Sequence, residues 1–84
     1  MKEVRFTKHA YEKFALLKKY GFPIDEAAVR QAIASPTQLG RRGDQLLALK
    51  PISNEHDIRV VYEEANDNIV VITFYPVKRE RFNV

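Results

Sequence analysis

Asp57-Ile58-Arg59-Val60-Val61-Tyr62-Glu63-Glu64, then Ala65-Asn66-Asp67-Asn68, then Ile69-Val70-Val71-Ile72-Thr73-Phe74-Tyr75 form one continuous stretch. The outer segments are rich in β-branched and aromatic residues and the middle one is built of turn formers. Together they predict two strands paired antiparallel across a short turn. Upstream, Gln38-Leu39, the tip Gly40-Arg41-Arg42-Gly43-Asp44 and Gln45 to Lys50 read as a second hairpin with a basic tip. Pro51 to His56 is a connection rich in turn residues. Further out, Val4 to Phe6 reads as a short first strand, and Val77 to Val84 as an extension of the last strand, a helical turn or a free tail.

Before residue 36 the period changes from two to 3.6. Ala10, Phe14 and Leu17 fall at i, i+4 and i+7, the stripe of an amphipathic helix. Leu16 and Tyr20 widen the stripe on one side. Thr7 is the expected N-cap and Gly21 the expected C′ residue. A second helix opens at Asp25, with Ile24 and Val29 placed as a hydrophobic staple. Its apolar face carries Ala28, Ala32 and Ile33, and Ser35-Pro36 stops it. Helices followed by strands predict an α+β domain: two N-terminal helices packed on one face of a four- or five-stranded antiparallel sheet. A sheet covered on one side should alternate apolar and polar residues. Val60-Val61 and Val70-Val71-Ile72 do not. The second face is therefore expected to be partly covered by the hairpin, the tail or a partner chain, a homodimer included.

With 84 residues the chain fits a single domain, 1–84. Its composition, 45% hydrophobic and 30% charged, excludes wholesale disorder. The longest apolar run, Ile69 to Phe74, is strand-sized, so no membrane span is expected. The first residues, Met1-Lys2-Glu3-Val4-Arg5, lack the apolar stretch of a signal peptide, and cysteine is absent. Both fit a cytoplasmic protein, and the absence of cysteine removes thiolate chemistry. Lys and Arg outnumber Asp and Glu by 14 to 11. The cations cluster in residues 1–20, at Arg41-Arg42, and in Lys78, Arg79 and Arg81. Clustered cations are the footprint of a polyanion binder, and also of a solvated surface.

The common chemical motifs are missing. The three glycines fit neither a dinucleotide fingerprint nor a P-loop. His9 and His56 are far apart with no carboxylates at metal-ligand spacing, and Ser35 and Ser53 lack a nucleophile-elbow context. No metal and no cofactor is expected. What remains is His9, Arg59, Thr73, Tyr75 and the terminal cations. Cleavage of RNA by its own 2′-hydroxyl needs a base, an acid and fixed positive charge at the phosphate. His9, at the border of the helical stripe, is a proton-transfer group or a locally bonded helix-start residue. Arg59, in a strand that otherwise reads as buried, is a phosphate clamp or a sheet-edge cap. Tyr75 is core or a stacking platform for a base, and Thr73 an orienting hydroxyl or an ordinary strand residue. Arg41, Arg42, Lys78, Arg79 and Arg81 are phosphate contacts or solvated charges. His56 reads as a turn residue.

Five segments carry a family resemblance. Phe6-Thr7-Lys8-His9-Ala10 opens a helix, followed by Val29-x-x-Ala32-Ile33-x-x-Pro36, Ile58-Arg59-Val60-Val61-Tyr62, Val71-Ile72-Thr73-Phe74-Tyr75-Pro76 and Lys78-Arg79-x-Arg81-Phe82. This order resembles the small bacterial RelE/ParE-like toxins, nearest to an uncharacterised branch related to the BrnT toxins. That superfamily belongs to the barnase/EndoU/colicin/RelE-like ribonuclease fold. The resemblance covers nearly the whole chain. It implies a RelE-like domain acting as a metal-independent endoribonuclease, the toxin of a toxin–antitoxin pair, with RNA as substrate and a small antitoxin as partner. Carried over by position, His9, Arg59, Thr73 and Tyr75 are the catalytic candidates. Arg41, Arg42, Lys78, Arg79 and Arg81 remain the RNA-binding ones. The other class is a non-catalytic nucleic-acid- or protein-binding module on the same sheet, since fold does not fix reaction.

Overall fold

The computed structural model describes residues 3–79. Among them the chain runs β1 (Glu3–Phe6), α1 (Lys8–Lys19), α2 (Glu26–Ala34), β2 (Gln38–Arg42), β3 (Gln45–Pro51), β4 (His56–Ala65) and β5 (Asn68–Lys78). The strands form one sheet in the order β1-β5-β4-β3-β2. Both helices pack on one of its faces, so the expected α+β architecture stands. One pairing differs from the antiparallel expectation: β1 joins β5 in parallel, Val4 opposite Ile69 and Phe6 opposite Val71. The helices carry the chain from β1 at one edge of the sheet to β2 at the other, and the β2–β4 meander returns it to β5, which completes the long connection a parallel pair requires.

Helix limits follow their caps. The Thr7 hydroxyl accepts from the Ala10 amide at 3.1 Å, and the Asp25 carboxylate accepts from the Ala28 amide at 2.9 Å. At the end of α1 the Phe22 amide donates to the Leu17 carbonyl and the Gly21 amide to that of Lys18. This is a Schellman motif, and Gly21 takes the positive φ of 90° that it demands. Gly43 (φ 60°) plays the same part in the two-residue turn between β2 and β3. That turn is tighter than the expected five-residue tip, so Arg41 and Arg42 lie within β2. Of the three alternatives for Val77 to Val84, extension of the strand is seen for Val77 and Lys78, and 80–84 lie outside the described residues.

The core lies between helices and sheet. Ala10, Val29 and Ala32 from the helices meet Ile58, Val60, Val71 and Phe74 from the strands, all fully buried. Phe14 stacks against Phe74 with centroids 4.7 Å apart, and Phe6 against Phe14 at 5.5 Å. Leu16 and Tyr20 are instead exposed, at 45% and 69%. The buried stripe of α1 is thus narrower than its hydrophobicity implied, because α1 packs mainly on the β1–β5 side of the sheet.

A bulge explains the apolar run in β5. Val61 pairs with Thr73 but Tyr62 pairs with Val71, so Ile72 is the extra residue. Side-chain parity therefore shifts there: Ile69 and Val71 face the helices, and so does Phe74. Thr7 holds this irregularity. Its amide donates to the Val71 carbonyl at 3.1 Å, and its hydroxyl donates to the carbonyl of Ile72 at 3.1 Å.

Candidate nucleic-acid interface on the open sheet face

Alternation along the paired strands places Leu47, Leu49, Arg59, Val61, Thr73, Tyr75 and Val77 on the face away from the helices. Arg59 sits at its centre, opposite Leu49 on one side and Tyr75 on the other. Its guanidinium lies 5.9 Å from the centroid of the Tyr75 ring, a cation–π contact. Among the described residues Arg59 makes no ion pair. A half-buried arginine with an unpaired fork and an aromatic ring beside it can take a phosphate and stack a base.

Next to this pair is a groove of about 550 Å³ with Leu49 and Val77 in its floor and Gln38, Asp57 and Arg59 among its walls. Lys78 and Arg79 border it at the end of β5. Arg79 is anchored twice. Its backbone amide donates to the Glu55 carbonyl at 2.8 Å, and its Nε donates to Asp57 Oδ1 at 2.7 Å. The Asp57 side chain is only 15% exposed. Arg79 is therefore partly neutralised, whereas Arg59 and Lys78 make no ion pair among the described residues.

The structure brings Arg59, Thr73, Tyr75 and Arg79 to one face with Lys78 at its edge, and leaves the other candidates elsewhere. His9 is exposed on α1, in a shallow concavity with Glu12, Lys13 and Lys19. Since α1 packs on the opposite face, the sheet separates His9 from Arg59, and the two do not reach one phosphate. Arg42 lies at the far end of the open face. Its partner Gln45 precedes Leu49 by four residues, roughly 14 Å along the strand. Arg41 shares a groove with Asp44, Glu63 and Glu64 and so stands in acidic surroundings. Arg81 lies outside the described residues. His56 begins β4 rather than sitting in a turn, and packs edge-on against Phe22 at 5.0 Å. Among the described residues no group of three or more His, Asp or Glu could hold a metal ion. No helix among them is long and apolar enough to cross a membrane.

Asp57, Gln38 and Leu49 were not singled out from sequence. Asp57 is two residues from Arg59 in one strand, so period-two alternation alone puts both on the same face. That signal was present. The partnership with Arg79 was not, because it joins residues 22 apart in sequence. Comparison of the chain with protein-family models, curated proteins and solved structures finds no significant match.

Proposed function

We propose that the protein binds single-stranded RNA on the open face of its sheet, with Arg59 holding a phosphate, Tyr75 stacking a base and the Lys78 end of β5 extending the contact. One observation carries this reading: Arg59, without an ion pair among the described residues, lies against Tyr75 at the centre of a sheet face that neither helix covers. An RNA partner accords with action in the cytoplasm. The test is fluorescence anisotropy with a labelled RNA octamer over a series of salt concentrations. Affinity should fall linearly on a log–log plot with a slope of about −0.7 per phosphate contacted. Arg59→Gln should reduce both affinity and slope. Binding that ignores salt, or is unchanged in Arg59→Gln, refutes the assignment.

A second reading, the metal-independent endoribonuclease of a toxin–antitoxin pair, draws support from the two hydroxyls on the same face, Thr73 and Tyr75. In that reading Arg59 stabilises the charge of the pentacoordinate phosphate. Proton transfer falls to Tyr75, with Thr73 orienting, because His9 stands behind the sheet. Cleavage in EDTA, abolished in Tyr75→Phe but kept in His9→Ala, distinguishes the enzyme from the binder. Arrest of growth relieved by a small co-expressed neighbour protein identifies the toxin. An RNA that is bound and left intact sinks this second reading.

A further inference from the structure

We infer that the groove beside Arg59 reads guanine, through the carboxylate of Asp57. This deepens the RNA-binding reading and rests on it. Asp57 and Arg59 project from the same face of β4 two residues apart, about 7 Å along the strand, a spacing on the scale of one nucleotide. The phosphate belongs at Arg59 and not at Asp57, whose charge repels it.

Asp57 has the features of a recognition group. Its side chain is mostly buried yet lines the groove. Its Oδ1 accepts from Arg79 Nε, and its Oδ2 makes no hydrogen bond among the described residues. Arg79 is the positioning residue: it is tied by its own amide to Glu55, and its Nε holds Asp57 Oδ1 at 2.7 Å. An ionised carboxylate only accepts. Guanine is the base whose Watson–Crick edge offers two adjacent donors, N1–H and the N2 amino group. Adenine and cytosine present one amino group beside an acceptor nitrogen, which the carboxylate repels. Uracil presents a single N3–H between two carbonyls. In single-stranded RNA these edges are free to be read. The Thr37 hydroxyl, also lining the groove, is already engaged: it donates to the Leu49 carbonyl at 2.9 Å.

The experiment is anisotropy of the full chain with uridine octamers bearing one central guanosine, adenosine, cytidine or inosine. The guanosine octamer should bind at least about fivefold more tightly than the adenosine or cytidine ones, the lower end for a well-made two-bond contact. Inosine lacks the N2 amino group and should lose most of that advantage. In Asp57→Asn the preference should vanish while salt-dependent binding persists. Equal affinity for all four octamers, or a guanosine preference intact in Asp57→Asn, overturns the guanine assignment and leaves RNA binding standing. Failure of every octamer to bind overturns RNA binding and the guanine assignment with it. If Asp57→Asn does not fold, the inosine comparison on the unaltered chain decides.

Discussion

Phe74 and Tyr75 are consecutive in β5, and the pleat sends them to opposite faces. Phe74 is fully buried against Phe14, Val60 and the helix layer. Tyr75 is half-buried on the open face, with the Arg59 guanidinium over its ring. One face is closed, apolar and packed by both helices. The other keeps an apolar floor but carries an arginine without a counterion among the described residues. The contrast teaches that aromatic content does not locate a core: of two adjacent rings, one is sealed between sheet and helices and the other is left half-buried beside an arginine.

The largest effect that tests this division is Phe74→Ala. Removing a fully buried aromatic should cost about 3–5 kcal/mol, read as a lowered midpoint in chemical denaturation. A loss much below that would mean the helix layer is not the core. Tyr75→Ala should cost about 1–3 kcal/mol of RNA affinity, the worth of one stacked base, with the denaturation midpoint moved far less than in Phe74→Ala. If Tyr75→Ala unfolds the protein instead, the open face is a second core and the contrast breaks.

Thr7→Ala sharpens the comparison at the bulge that sets which side chains face which way. It removes an N-cap, worth about 0.5–2 kcal/mol, and strips the partner from the Ile72 carbonyl. Urea denaturation of Thr7→Ser, which keeps the hydroxyl, should recover most of the loss. His9→Ala should be the smallest change, leaving denaturation midpoint and RNA affinity where they were. A fall in affinity would place a nucleic-acid contact on α1 and end the assignment of binding to one face.

Much of this was readable from local signals. The caps at Thr7 and Asp25, the Gly21 stop and the β4–β5 hairpin depend on residues within a few positions of each other. What escaped was nonlocal. The parallel seat of β1 leaves no local pattern, and the Ile72 bulge is hidden because Val70, Val71 and Ile72 are alike in hydrophobicity. Helical periodicity put His9 at the border of a stripe, but it does not say on which side of a sheet the helix lies. The groove was half legible: alternation places Asp57 with Arg59, whereas the Arg79 partnership needs the end of β5 to be in place.

The bond between Thr7 and Ile72 links residues 65 apart, and it bears on the order in which the chain assembles. The β2-to-β5 meander joins neighbours in sequence and can close early, whereas β1 must wait for β5, since distant contacts carry the larger loop-closure cost. During synthesis β1 emerges well before β5 and can pair only once that strand has left the ribosome. We predict that pulsed hydrogen exchange during refolding protects the amides of β4 before the Thr7 amide, which donates to Val71. Simultaneous protection would show that β1 and β5 meet in the rate-limiting step. The sheet edge formed by β5 is thus left without its neighbour until the N-terminal strand returns to it, and a slow return would expose that edge to other chains.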